Sequence, residues 1–411
     1  MLQPKARLNT ISRVKAIVVS HHFNIGNVDY TEWLRTVDER TRALMTADED
    51  TFEDGIRNLL SKLKSSHTNF YRSDTNPTTP QHAIGATLRA VTGTGDPQWM
   101  FLDVFEDSPA SRAGVIPGQF LRSVNGTLAI PPIFPTFRFG EDHKLTIRLP
   151  NETEVRDVVV TVPQRKAAKR RPPLVEPKSI SYRMVASHVG VLRISFFPGA
   201  FGIRFARLLD AAVESLKAQA CDRLIIDLRG CLGGSLGFAR LVSYLCPDRI
   251  PIGYDVTRKR LHQGYNVAEL PRVPMPNSKL GILLCLARFS VQDKSLMLLT
   301  QGLGKQPFHG RVAVLVNEWT NSAGEMAAQF AKDTKLATVI GQKTRGNVLG
   351  STTFNVGNDY KLYLPIFGWY GPGGNYAEGA GVLPDVLIDI DPESLAYGND
   401  AQFNKAIEIL R

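Results

Sequence analysis

Residues 313–333 read AVLVNEWTNSAGEMAAQFAKD. An apolar run, a polar turn over 318–322 and an apolar helix from Ala323 place Ser322 where a buried strand gives way to a helix. A serine there presents its hydroxyl beside the free N–H groups of a helix start, which suits a nucleophile facing a developing oxyanion. The same residues make an ordinary helix cap, because Ser322 followed three positions later by Glu325 is also a capping box. Residue types alone leave both readings open. A second strand end is rich in glycine: in LIIDLRGCLGGSLG, 224–237, Gly230, Gly233 and Gly234 could bring backbone N–H groups close to a ligand. The lysine and hydroxyl of a GxxxxGK[ST] loop are missing and no GxGxxG follows a strand, which argues against a nucleotide site.

The elements that must position these residues fall into blocks. Residues 1–80 read as mainly helical, with apolar residues at three- and four-residue spacing in DYTEWLRTVDERTRALM and DEDTFEDGIRNLLSKLKSS, the second capped by Asp48 or Asp50. Short alternating strands with glycine turns follow over 82–163 and predict a compact β-rich module. Residues 164–179 predict a basic, proline-rich linker. From 180 to 411 apolar strands alternate with amphipathic helices, which predicts a mixed or parallel sheet with helices on its faces and a site beyond the carboxyl ends of the strands.

A chain of 411 residues, 43% hydrophobic and 21% charged, is long enough for two or three globular domains. It carries a formal charge of +10, but half of that excess sits in the linker, where Arg165, Lys166, Lys169, Arg170, Arg171 and Lys178 oppose only Glu176. A solvated linker accounts for this better than a nucleic-acid surface, since no aromatic residues interleave the charges. No stretch reaches the length of a membrane span, and the start lacks a signal-peptide pattern, so a cytoplasmic location is expected. Cys221, Cys231, Cys246 and Cys285 form no CxxC pair and are expected to be buried free thiols, with no metal bound.

Taken together, these stretches resemble the S41 family of serine peptidases, the C-terminal processing and tricorn-like proteases. The β module is similar to their PDZ domain, with AIGA, 83–86, at the carboxylate-binding loop and DSPASRAGVIPGQFLRSVNG, 107–126, close to the family's SPAxxAGxxPGDxIxxVNG run; Gln119 replaces its aspartate. LIIDLRGCLGGSL is similar to the DLRxNxGG segment, with Cys231 for asparagine, TNSAGEM to TxSAxE, and EGAGVLPDV to the closing EGxGVxPD motif. The resemblance implies an α+β multidomain chain: an N-terminal helical segment, a PDZ-like β module and a crotonase- or ClpP-like α/β protease core.

It also implies a serine-type peptidase with Ser322 as nucleophile and no cofactor. The processing branch takes its base from a lysine in a GKG turn, where this chain has Asn347; nearby Lys343 aligns with a variable position. The tricorn-like branch takes a histidine after the helical segment, here His67 in SSHT, with Ser66 and Glu378 as the relay that orients it. Ala323 and one of Gly233 and Gly234 are the implied oxyanion donors, and a serine–histidine pair implies activity rising through mildly acidic to neutral pH. Ile84 and Gly85 are implied to hold the C-terminal carboxylate of a peptide or unfolded protein substrate by strand addition. A homo-oligomer fits this reading; nucleic acid does not. The alternatives are a non-catalytic peptide-binding scaffold and a small-molecule or acyl-CoA binder on the crotonase-like core.

Overall fold

The computed structural model describes residues 3–23, 28–72, 78–92, 96–164, 175–199, 201–276 and 293–411, with 278, 280, 281, 283 and 287. Most of the predicted linker (165–174) and Cys285 lie outside the described residues. Among the described residues no helix is long and apolar enough to cross a membrane.

The core sheet runs Val386–Leu387, Thr338–Gly341, Val312–Val316, Arg223–Asp227, Val189–Ile194, Ile180–Ala186; every pairing is parallel except the last. Its central strands are apolar on both faces because both faces are covered. Leu224, Ile226, Val312 and Val314 join a cluster with the helices Ile203–Ala218, Gly237–Ser243 and Ala323–Thr334. The alternate residues Ile225, Ala313 and Leu315 face Ala406 and Leu410 of the helix Ala401–Leu410. Parallel order places the carboxyl ends of Arg223–Asp227 and Val312–Val316 side by side, so the glycine turn and the serine turn emerge as neighbours.

A second sheet is largely antiparallel. Tyr360–Tyr370 pairs with Gly350–Gly357, Pro251–Thr257 and Asn69–Arg72. Pro251–Thr257 also pairs with Leu296–Leu299, which carries Arg272–Pro274 in parallel at the edge. The N-terminal helices Pro4–His21, Tyr30–Thr46 and Glu49–Ser61 bury Ile11, Val14, Trp33, Phe52, Ile56 and Leu60 against Tyr360, Leu362 and Leu364 of this sheet. Asp48 is the cap, accepting the Thr51 N–H at 2.8 Å. The predicted helical segment is thus fastened to the core by the strand Asn69–Arg72, and the register Asn69↔Tyr363 carries His67, two residues earlier, onto the core's rim.

The β-rich module is a sheet in the order Ala86–Val91, Gln98–Val104, Phe120–Val124, Asp142–Arg148, Arg156–Thr161, around its own apolar core. Residues 129–141 form no helix; Pro131, Pro132 and Pro135 deny that segment the N–H groups a helix needs. The module docks on the serine turn. Asp103, 4% exposed, accepts from Asn317 Nδ2 at 3.0 and 3.2 Å and from Thr87 Oγ1 at 2.6 Å. Arg89 forks onto both Glu318 oxygens at 2.5 Å, and Arg345 lies 4.6 Å over the Trp319 ring. Asn317 Oδ1 meanwhile accepts the Gly230 and Trp319 N–H groups at 3.0 Å each.

Asn317 thus pins together a module, a glycine turn and the serine turn, and its loss takes one donor from the buried Asp103 carboxylate and the acceptor from the Gly230 and Trp319 N–H groups. Asn317→Ala is expected to cost about 2–3 kcal/mol, read from the shift of the urea unfolding midpoint. An unchanged midpoint would show that these bonds carry no net stability.

Candidate active site

Ser322 is the cap of the helix Ala323–Thr334 and sits at φ 51° and ψ −116°. This backbone is strained for a residue with a side chain, and such strain belongs to a sharp strand-to-helix turn that lifts a side chain clear of the sheet. The capping box read from the sequence is present, but Glu325 does more than cap. It is fully buried, and its Oε2 accepts the N–H groups of Ser322 at 3.0 Å and Asn347 at 2.8 Å. Its Oε1 accepts the Gly346 N–H and the Thr344 hydroxyl, both at 2.6 Å. Burial pushes the carboxyl up and these donors oppose it. The S/T-x-x-E spacing gave the cap; nothing local in the sequence could give the strap to 344–347.

The glycine turn closes on the serine from the neighbouring strand. A Cβ on Gly233 would lie 2.7 Å from Ser322 Cβ and 2.9 Å from the Asn321 carbonyl oxygen, and one on Gly234 would meet the Phe197 carbonyl at 2.2 Å. Both glycines have positive φ, so this approach requires residues without side chains. The Ala323 N–H, first in its helix, has no acceptor within the helix. Cys231 is buried beneath the turn, its thiol pushed up to about 12 by burial, so it packs as an apolar filler and is not a reactive thiol.

Across the cleft stands the set predicted around His67. Glu378 Oε1 accepts the Ser66 N–H at 2.8 Å, and its Oε2 accepts the Ser66 hydroxyl at 2.9 Å and the Val348 N–H at 2.9 Å. Ser66 Oγ lies 2.9 Å from His67 Nδ1. The carboxylate takes the single hydroxyl proton, so Ser66 can only accept from the ring; Nδ1 therefore carries the imidazole proton and Nε2 is left with its lone pair. Burial among protein atoms pushes His67 down to about 4, although the ring keeps partial exposure to the cleft. His67, Ser322, Ala323 and Gly234 line one cleft of about 1710 Å³. Among the described residues no hydrogen bond joins the ring to Ser322; catalytic contacts of this kind commonly tighten only around a reacting group.

Other expectations fare differently. Asn347, at the position of the lysine in the processing branch, binds Asn321 Oδ1 at 3.2 Å. Lys343 is exposed and does not line the cleft. Ile84 and Gly85 are corrected. Both are buried, and their N–H groups donate to the Pro80 carbonyl at 2.9 and 3.2 Å, so this turn offers neither amide to an incoming carboxylate. The short helix Pro80–Ala83 captures them, which the AIGA pattern could not reveal.

A strained serine backed by two amide-bearing turns, facing a histidine held by serine and carboxylate, can do acyl-transfer chemistry. Residues 188–388 of the chain match peptidase family S41. Among its relatives is a probable CtpA-like serine protease of Staphylococcus aureus (strain bovine RF122 / ET3-1), 25% identical over 296 residues, 71% of this chain and 50% of that protein. A CtpA-like relative in Staphylococcus haemolyticus is 22% identical over 372 residues, 87% of this chain and 66% of that one. The chain spans about half the length of the Staphylococcus aureus relative it matches. In fold it is similar to the photosystem II D1 C-terminal processing protease, with a TM-score of 0.59 at 17% identity and 96% of each chain covered. It is similar also to mature CPAF, with a TM-score of 0.57 at 14% identity over 99% of this chain and 98% of that one.

Glu325→Gln would turn an amide donor toward N–H and O–H groups that all need an acceptor. It is expected to lower stability by about 2–4 kcal/mol and to loosen 344–347, seen as faster amide exchange at Gly346 and Asn347. Unchanged exchange there would show that the strap does not order the loop.

Proposed function

We propose that this chain is a serine-type peptidase that cleaves peptide bonds through an acyl-enzyme on Ser322, with His67 as its general base. The observation that carries the reading is the Glu378–Ser66–His67 relay, joined across 312 positions of sequence, whose His67 lines the same cleft as a strained serine at a helix start.

In the first step Ser322 Oγ attacks the carbonyl carbon while its proton passes to His67 Nε2. The carbonyl oxygen becomes an oxyanion that receives the Ala323 N–H and an N–H of the 233–234 turn, each such donor worth about 3 kcal/mol. His67 then gives its proton to the leaving amine. Water, deprotonated by the same nitrogen, releases the acyl group from Ser322. Glu378 acts through the Ser66 hydroxyl: it fixes the tautomer and opposes the charge of the imidazolium at one remove.

The depressed His67 basicity moves the expected pH dependence. A base that protonates near 4 instead of 6.5 is ready throughout the neutral range, so kcat/KM should fall only as pH drops below about 5. This replaces the rise between mildly acidic and neutral pH implied by histidine's ordinary value. An acid limb centred near 6.5 would show that the ring is more solvated at work than in this structure.

Ser322→Ala should remove the mass adduct formed by a fluorophosphonate. Ser322→Ala and His67→Ala should each slow turnover of an unstructured peptide by about three orders of magnitude or more, while Lys343→Ala stays within a few-fold. An inactive Lys343→Ala beside a nearly normal His67→Ala would transfer the base to the lysine, and an adduct persisting in Ser322→Ala would refute the nucleophile.

A further inference from the structure

One wall of the cleft has no part in this chemistry. Asp255 lies within Pro251–Thr257, between Tyr254 and Val256, which are buried in a separate apolar cluster. Strand alternation turns Asp255 to the opposite face, where its cross-strand partner is Trp369 and the next pair brings in Phe367. Trp369 meets Phe238 edge-on at 5.6 Å. Met326, one helical turn beyond Ser322, packs against the core cluster that holds Phe238 and Trp369 and lines the cleft with them.

Three buried oxygens on this lining, Asp255 Oδ1, Ser235 Oγ and Ser351 Oγ, have no hydrogen-bond partner among the described residues. Native structures rarely leave such atoms unsatisfied, and a carboxylate least of all. Two arginines of the same cleft are engaged elsewhere: Arg57 with Glu53 and Asp54, and Arg72 with Glu49. Burial pushes the Asp255 carboxyl up to about 8, as expected of an acid that lacks a counter-charge. A cationic guest would favour the ionised form of this acid, whereas an anionic one would oppose its ionisation and an apolar one would leave its oxygen without a partner.

We propose that this wall receives the cationic side chain of a substrate lysine or arginine flanking the cleaved bond, with Asp255 as the residue that determines this specificity. The aliphatic stem lies along Met326, Phe238, Phe367 and Trp369, and the head reaches Asp255 while the Ser235 and Ser351 hydroxyls accept its remaining N–H groups. Ser235 follows Gly234 of the oxyanion turn directly, and Met326 is one turn from Ser322. The wall therefore borders the reacting carbonyl, which selects a residue next to the cleaved bond over a distant one. This inference rests on the peptidase reading.

Matched peptides with lysine, norleucine or glutamate on either side of the cleaved bond test it. Lysine is expected to exceed norleucine in kcat/KM by about tenfold or more at one flanking position, with glutamate the poorest. Asp255→Asn should bring the lysine-to-norleucine ratio close to one, and Asp255→Glu, which keeps the charge, should retain a preference. Equal cleavage of lysine and norleucine peptides, or a preference that survives Asp255→Asn, overturns the proposal. Binding of p-aminobenzamidine, a fluorescent amidinium, to the Ser322→Ala protein provides a readout without turnover, and it should vanish when Asp255→Asn is added. Asp255-dependent binding in a protein that cuts no peptide and takes no fluorophosphonate would uphold the cation site and overturn the peptidase reading; cleavage without charge preference would do the reverse.

Discussion

The arrangement hangs on one buried carboxylate. Glu325 sits at the start of the serine helix and accepts from Ser322, Thr344, Gly346 and Asn347. The loop it holds is the one that binds the opposite side of the site: the Gly379 N–H donates to the Gly346 carbonyl at 2.8 Å, and the Val348 N–H donates to Glu378. Glu378 in turn fixes Ser66, and Ser66 fixes the His67 tautomer. A set of hydrogen bonds thus runs from the backbone of Ser322 to the ring of His67, and at its centre Glu325, Thr344 and Gly346 are buried. Shielding makes each bond strong and makes a vacancy costly, so the geometry is held more tightly than a solvated loop could hold it.

A second constraint is the docking of the β module. Asp103 and Arg89 come from adjacent strands of that module and grip consecutive residues, Asn317 and Glu318, at the end of the strand that leads to Ser322. Asn317 passes the grip on to the glycine turn through the Gly230 N–H. The glycine turn and the serine turn are therefore both braced from outside the core sheet. The same module does not present the Ile84–Gly85 turn as an open carboxylate cradle, because Pro80 has taken its amides. In this chain the module's visible physical role is to brace the site.

Much of this was legible in the residues. Continuous apolar strands such as VAVLV and RLIID require cover on both faces, and the helices that cover them carry their apolar residues at helical spacing. The glycines of the 230–234 turn marked a close approach, and Ser322 at a strand-to-helix junction marked a nucleophile or a cap. Ser66, His67 and Glu378 were reached through motif resemblance and not through any local property, since no short-range rule relates residues so far apart. The largely antiparallel second sheet was not anticipated: Pro251–Thr257, Leu296–Leu299 and Gly350–Gly357 are short, irregular at Gly350 and Gly253, and take their order from partners distant in sequence.

What the sequence determined by itself is therefore the set of elements and the chemical repertoire: where strands end, where a helix begins, and which hydroxyl, imidazole and carboxylate are on offer. Those are consequences of periodicity, capping and backbone freedom, all of which act within a few residues. Only the tertiary structure decided that Glu325 is a strap as well as a cap, that Pro80 closes the Ile84–Gly85 turn, that burial draws His67 down to about 4, and that Asp255 faces the cleft without a partner. Each of these depends on which groups from remote segments share a desolvated space, and desolvation belongs to the packed chain and not to any window of its residues.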